Sequence, residues 1–362
     1  MRYSLADMNG TYTGDLKEFI LNRNEEQSAA FRSAAARLSR ARYRAEHPTE
    51  IAAWKCMDGR LNLAVYTKTP QGVIHPFRNI GGKFDLGWPF FQDTTKELVN
   101  YAARNGRRVL ILVTYHFSKG DHHRGCAGWK YDTNAARAAA EELAKQTERV
   151  FGTSPRIVYP VVVGVETDEE GLVIHGVHGG ALDIAGLAQP DDLSGKIHEL
   201  FPDMDAQMVR DFIPLLIGNW EHVADIRASH RPPIDLEHRE QIIAVGRGFD
   251  WLHIPNKALI IGPYSHEWPQ AVATAGKIIL GNLGAGRVPK EEGVLLLCSS
   301  LSRDEEGSFG WNMAIEKAKY LERVSKESIL AQVPELKDSL KVFSGVTFAD
   351  TRKLHALDET HG

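Results

Sequence analysis

The chain has 362 residues, of which 43% are hydrophobic and 25% charged, and a formal net charge of −4. That near-balance gives no basis for a nucleic-acid or anionic-membrane surface, and no apolar run reaches the ~20 residues of a membrane helix. Three cysteines exclude a disulfide scaffold and fit a reducing cytoplasm, residues 1–7 carry no apolar signal core, and the length is that of about two domains.

Residues 1–23 show little periodicity and read as an extended arm. The spacing predicts one helix over 24–46, with Asn24 as its cap, Glu25 and Glu26 in its first turn and Pro48 beyond its end. Together these residues make an N-terminal helical arm over 1–50. Residues 51–57 and 73–77 are short apolar runs that read as buried strands. A helix over 94–105, closed by Gly106, leads into the clearest strand, 107–115, whose VLILV has no polar break. Residues 132–150 are again helical. Strands at 158–165 and 171–176 are joined by the acidic turn Asp168-Glu169-Glu170. A second α/β stretch runs from about 208 to 324, and residues 360–362 are expected to fray. Strand and helix alternating in this order predict an α/β fold with a mostly parallel sheet flanked by helices.

The chain also repeats itself. VLILV at 109–113 returns 185 residues later as VLLLC at 294–298. Each strand is followed by a tryptophan, Trp129 or Trp311, and a helix ending in Glu-Arg-Val. Cys56-Met57-Asp58-Gly59-Arg60 aligns, at an offset of 167, with Val223-Ala224-Asp225-Ile226-Arg227. A duplicated unit is expected, with domains over 51–204 and 205–362. In the second, Val223, Glu305 and Ser308 stand where the first has Cys56, His123 and Cys126, so it is expected to lack a metal site.

Cys56 closes a predicted strand, and His123 and Cys126 lie beyond the end of another. Carboxyl ends of parallel strands are where open α/β sheets bind ligands. Two thiolates and an imidazole favour zinc, and a three-residue set leaves a fourth position open for chemistry. His116 and His122, in the stretch between that strand and Cys126, are rival ligands. Taken singly, each signal is weak: a lone strand cysteine such as Cys298 is usually a core residue, and an Asp-x-Arg pair is usually an ion pair of small value.

As an ordered series these residues resemble the β-class carbonic anhydrases. The matching motifs are Cys56-x-Asp58-x-Arg60, the segment Arg78-Asn79-Ile80-Gly81-Gly82, and His123-x-x-Cys126. A duplicated unit with one intact metal set is most similar to the divergent carboxysome shell branch. The sequence departs from the β-class pattern where His122, not glycine, precedes His123 and where Ala127 follows Cys126.

The resemblance implies an internal pseudo-dimer, a Zn2+ ion held by Cys56, His123 and Cys126, and reversible hydration of CO2 to bicarbonate and a proton by zinc-bound hydroxide. Asp58 would orient the hydroxide, with Arg60 holding Asp58 ionised. Released by Arg60, Asp58 would instead close the site as a fourth ligand. A homodimer or higher oligomer is implied, in the cytoplasm, with carboxysome shell or cargo proteins as candidate partners. Two alternatives stay open: a zinc hydrolase of carbon disulfide or carbonyl sulfide on the same fold, and a non-catalytic zinc-binding scaffold.

Overall fold

A computed structural model describes residues 15–152, 157–229, 237–252 and 256–357. The expectations for residues 1–14 and 360–362 lie outside them. The chain divides into two compact units, one of residues 34–57 and 61–237, the other of residues 1–33, 58–60 and 238–362.

The first unit carries a six-stranded sheet in the order β2-β1-β3-β4-β5-β6. Its strands are β1 (Glu50–Cys56), β2 (Ile74–Asn79), β3 (Val109–Phe117), β4 (Val158–Glu166), β5 (Gly171–His175) and β6 (Ala181–Asp183). β1 to β4 pair in parallel and β5 and β6 are antiparallel additions. Every residue of β1 and β4 is buried, which is why these strands are mostly apolar rather than alternating, with the charged residues Glu50, Lys55 and Glu166 buried among them. The helices are α2 (Ala34–Glu46), α3 (Leu63–Tyr66), α4 (Pro89–Arg104), α5 (Thr133–Phe151), α6 (Leu193–Leu200) and α7 (Ala206–Ala228). Asp132 caps α5 by accepting from the Ala135 N–H.

The second unit has a five-stranded sheet in the order β11-β10-β9-β7-β8, built from β7 (Ile242–Gly246), β8 (Ala258–Ile261), β9 (Val294–Ser302), β10 (Leu340–Phe348) and β11 (Leu354–Ala356). It contains α1 (Leu16–Arg32), α8 (Trp268–Gly284) and α9 (Phe309–Gln332). The α/β class with mostly parallel sheets stands as the sequence predicts. The second stretch runs past residue 324, because β10 and β11 complete its sheet.

Two local expectations are corrected. The single helix over 24–46 is two helices, broken at Ser33, whose ψ of 148° is extended, and the first of them begins in the arm expected to be extended. Asn24 is no cap: its amide donates to Arg352 O and accepts from Leu354 N at 2.9 and 2.8 Å, in the middle of α1. The cap is Asp15, which accepts from the Lys17 N–H.

The repeat lies elsewhere than the offset of 167 placed it. Val223–Arg227 is the last part of α7, not a segment following a strand. Strand order and register supply the counterpart. Ile51 of β1 pairs with Leu110 of β3, and Ile242 of β7 pairs with Leu295 of β9. β7 is therefore the equivalent of β1, and Arg247 takes the place of Cys56. Asp225 and Arg227 bond not to each other but to Lys68 at 3.1 Å and Glu169 at 2.8 Å, so they are no relic of Asp58 and Arg60. Ser308 is the α9 cap, accepting from Trp311 N–H.

Candidate metal centre

β1 and β3 are adjacent and parallel, so their carboxyl ends lie side by side. Cys56 ends β1, and His116 is the penultimate residue of β3. Cys126 follows a loop that returns to them. The Cys56 and Cys126 sulfurs stand 3.8 Å apart, and Cys56, His116 and Cys126, all buried, offer ligand atoms within 4.8 Å of one another. His123 is not in this cluster. It is exposed and stands with Asp121 and His122 in a second group on the intervening loop. The structure thus brings together both expected cysteines and the rival histidine His116. A histidine near the end of an otherwise apolar buried strand was the signal in the sequence, overshadowed by the HxxC spacing.

The donor set fits zinc. Two thiolates at about 2.3 Å from a tetrahedral ion lie about 3.8 Å apart, which is the spacing found here. Both ring nitrogens of His116 are buried without a hydrogen-bond partner. Such orphaned polar atoms are costly and call for an occupant.

The loop carrying Cys126 is pinned from two sides. The Trp129 indole N–H donates to Gly81 O at 2.8 Å, and Lys83 lies over the Trp129 ring. A Cβ on Gly128 would meet Gly81 N at 2.8 Å. This close approach gives the Arg78-Asn79-Ile80-Gly81-Gly82 segment a structural purpose: it is the shelf on which the Cys126 turn rests. On the other side, Asp168 accepts from Ser118 Oγ and from Gly120 N–H, both at 2.7 Å. Glu166 accepts from the backbone N–H groups of Lys119, Asp168 and Glu169. Burial raises the Glu166 carboxyl above its ordinary range, outweighing those three bonds.

Asp58 and Arg60 form a buried pair. Arg60 donates from its backbone N–H and Nε to Asp58 Oδ1 at 2.9 and 3.1 Å, and from Nη2 to Oδ2 at 2.6 Å. Arg60 Nη2 also lies 3.4 Å from His238 Nε2, whose Nδ1 meets Glu240 at 2.9 Å. Burial would lower the His238 pKa, but the Glu240 carboxylate outweighs it and raises the ring above its ordinary value. Neither His238 nor Glu240 was legible as a neighbour of the motif, since nothing local in sequence links them to it. Gly59 is fixed by close approach: a Cβ there would meet Ala258 O at 2.3 Å, where Asp58 bridges to Leu259 of β8.

Residues 45–218 match the family model of the carboxysome shell carbonic anhydrase catalytic domain. The chain resembles the carboxysome shell carbonic anhydrases. A carboxysome shell carbonic anhydrase of Halothiobacillus neapolitanus is 29% identical over 261 residues, 59% of this chain and 49% of that one. One from Prochlorococcus marinus (strain MIT 9313) is 25% identical over 235 residues, 56% of this chain and 45% of its own. One from Hydrogenovibrio crunogenus is 26% identical over 238 residues, with shares of 56% and 45%. The chain spans about half the length of the curated relatives it matches. The stretch similar to carboxysome shell carbonic anhydrases takes in β1 through the first half of α7, and with them Cys56, Asp58, Arg60, His116 and Cys126. Among the described residues, neither group of metal-ligating side chains lies in the β7–β11 unit, and Leu301 takes the register place of His116 there.

Proposed function

We propose that the chain is a zinc-dependent carbonic anhydrase, hydrating CO2 reversibly to bicarbonate and a proton, with Cys56, His116 and Cys126 holding the metal. The observation that carries this reading is the buried imidazole of His116, unpartnered at both nitrogens, beside two cysteine sulfurs at tetrahedral zinc spacing. Zinc bound there supplies a water acidified toward neutral pH.

Asp58 follows Cys56 by two residues, which keeps their Cα atoms within about 7.6 Å on any path of the chain. Its carboxylate would accept a hydrogen bond from the water that zinc supplies and so orient that water toward CO2. Arg60 engages both oxygens of that carboxylate, which holds it ionised and would keep it from acting as a further ligand to zinc bound at Cys56, His116 and Cys126. The names of the relatives extend the proposal to a carboxysome association within the bacterial cytoplasm.

Zinc content and stopped-flow CO2 hydration, measured on one sample, test the assignment. The protein is expected to keep one zinc through dialysis and to hydrate CO2. Cys56→Ser and His116→Ala are expected to lose zinc and activity together, while His123→Ala keeps its tightly held zinc. Retention in His116→Ala with loss in His123→Ala would return the third ligand to the HxxC position.

A further inference from the structure

His122 and His123 stand outside the buried centre, yet their surroundings are not those of idle surface histidines. Asp121, His122 and His123 occupy one short turn between His116 and Cys126 and offer a carboxylate oxygen and two ring nitrogens within 4.8 Å of one another. The same oxygen, Asp121 Oδ1, lies 3.2 Å from His123 Nδ1 and 4.0 Å from His122 Nδ1. The two imidazoles pack with centroids 3.8 Å apart. Tyr131 sets its ring edge-on against both, at 6.3 and 5.3 Å. To do so the chain passes through two consecutive left-handed residues, Lys130 and Tyr131, with φ of 52° and 66°. Such conformations cost free energy in residues with a side chain and collect at functional sites.

We propose that Asp121, His122 and His123 form a second metal site, at the surface, for a borderline divalent transition-metal ion such as Zn2+, Co2+ or Ni2+. Two imidazoles and one carboxylate suit these ions, whereas Ca2+ and Mg2+ require all-oxygen sets. The side chains of His122 and His123 are 71% and 65% exposed, so rotation about their own bonds is free to bring the nitrogens to the ~2.0–2.1 Å of a metal bond. Water fills the remaining positions. The site is therefore exchangeable, unlike the buried set with its two thiolates, and its existence does not depend on what Cys56, His116 and Cys126 hold.

The test uses the full chain without an affinity tag, as isolated, dialysed against rising free Zn2+ with total zinc measured per chain. Wild type is expected to take up one exchangeable equivalent beyond the zinc that survives dialysis against buffer alone. His122→Ala/His123→Ala is expected to lose that equivalent while keeping the zinc that survives dialysis. Failure of wild type to take up the equivalent, or its persistence in the double variant, overturns the proposal. Loss of the tightly held zinc in wild type would count against the buried centre and leave this result standing. Should the double variant misfold, residue-level protection in wild type locates the site. Zn2+ is expected to protect His122 and His123 from acylation by diethyl pyrocarbonate, mapped on peptides, while His198, exposed on α6, stays reactive. Equal acylation of all three with and without Zn2+ overturns the site.

Discussion

Asp58 accepts at both carboxylate oxygens from the Nε and Nη2 of a guanidinium two residues away, and both partners are only 3% exposed. Breaking such a pair from one side leaves a buried charge uncompensated. Asp58→Ala is therefore expected to lower CO2 hydration ~10- to 100-fold, the usual loss when a group orienting a metal-site reactant is removed, with zinc per chain unchanged. Arg60→Ala should match it in rate, and both variants should lower the melting temperature, because each strands a buried charged partner. Equal turnover in wild type and Asp58→Ala would refute the role. Arg247, just past β7, and Leu301 in β9 stand at the register places of Cys56 and His116, so the β7–β11 unit keeps the strand order without a thiol or an imidazole at those two positions.

At the scale of elements, β1 is anchored at both ends. At its start Glu50 accepts from Arg107 Nη1 at 2.7 Å and meets His75 Nε2 at 3.3 Å. Burial by itself would raise the Glu50 carboxyl, but His75, Arg107 and Arg44 outweigh it and hold it below its ordinary value. A carboxyl depressed in the folded state stabilises the fold above its unfolded pKa, and that stabilisation is lost as pH falls through the folded value. Glu50→Gln is thus expected to cost about 1–2 kcal/mol at pH 7. The gap to wild type in denaturant titrations should narrow below the ordinary carboxylate range. A gap that widens on acidification would contradict the pairing. α7 is tied in by Asn219, fully buried, whose amide accepts from Leu172 N–H and donates to Tyr66 O and Glu170 O. Asn219→Ala leaves three buried backbone groups without this partner and is expected to destabilise by about 3 kcal/mol, read as a lower melting temperature. Asn219→Asp, which keeps the acceptor and loses the donor, should do little better.

For the whole molecule, the boundary of the β1–β6 unit falls after α7, not before it. Met208, Phe212, Leu215, Leu216 and Val223 on that helix are buried, and Asp211 accepts from the Thr49 N–H just before β1. A chain ended at residue 204 loses all of this and exposes a broad apolar face. It is expected to aggregate or to show expanded, poorly cooperative unfolding in calorimetry, even though it contains Cys56, His116 and Cys126. A soluble 1–204 fragment with a sharp transition would show that α7 is dispensable. None of the described helices is long and apolar enough to cross a membrane.

What the sequence determined by itself was whatever is encoded within a few residues. Unbroken apolar runs at 109–113 and 294–298 marked β3 and β9, and a mostly apolar run interrupted by Lys55 marked β1, because strands buried on both faces need no polar alternation. The Asp58–Arg60 bond is a contact between residues two apart, so the motif that suggested it also contains it. Tertiary structure decided the rest. Which histidine reaches the two cysteines depends on the path of residues 117–125, and that path is held by Asp168 and Glu166 at the end of β4, more than 40 residues further along the chain. No spacing rule within the loop carries that information, so HxxC pointed to His123 while the fold turned His116 inward. The burial of Asn24 has the same kind of cause: its amide is satisfied by the backbone of Arg352 and Leu354, some 330 residues away. The true counterpart of β1 emerged only from strand order and register, because a duplicated fold preserves hydrogen-bonded neighbours after the motif at the strand end has been replaced.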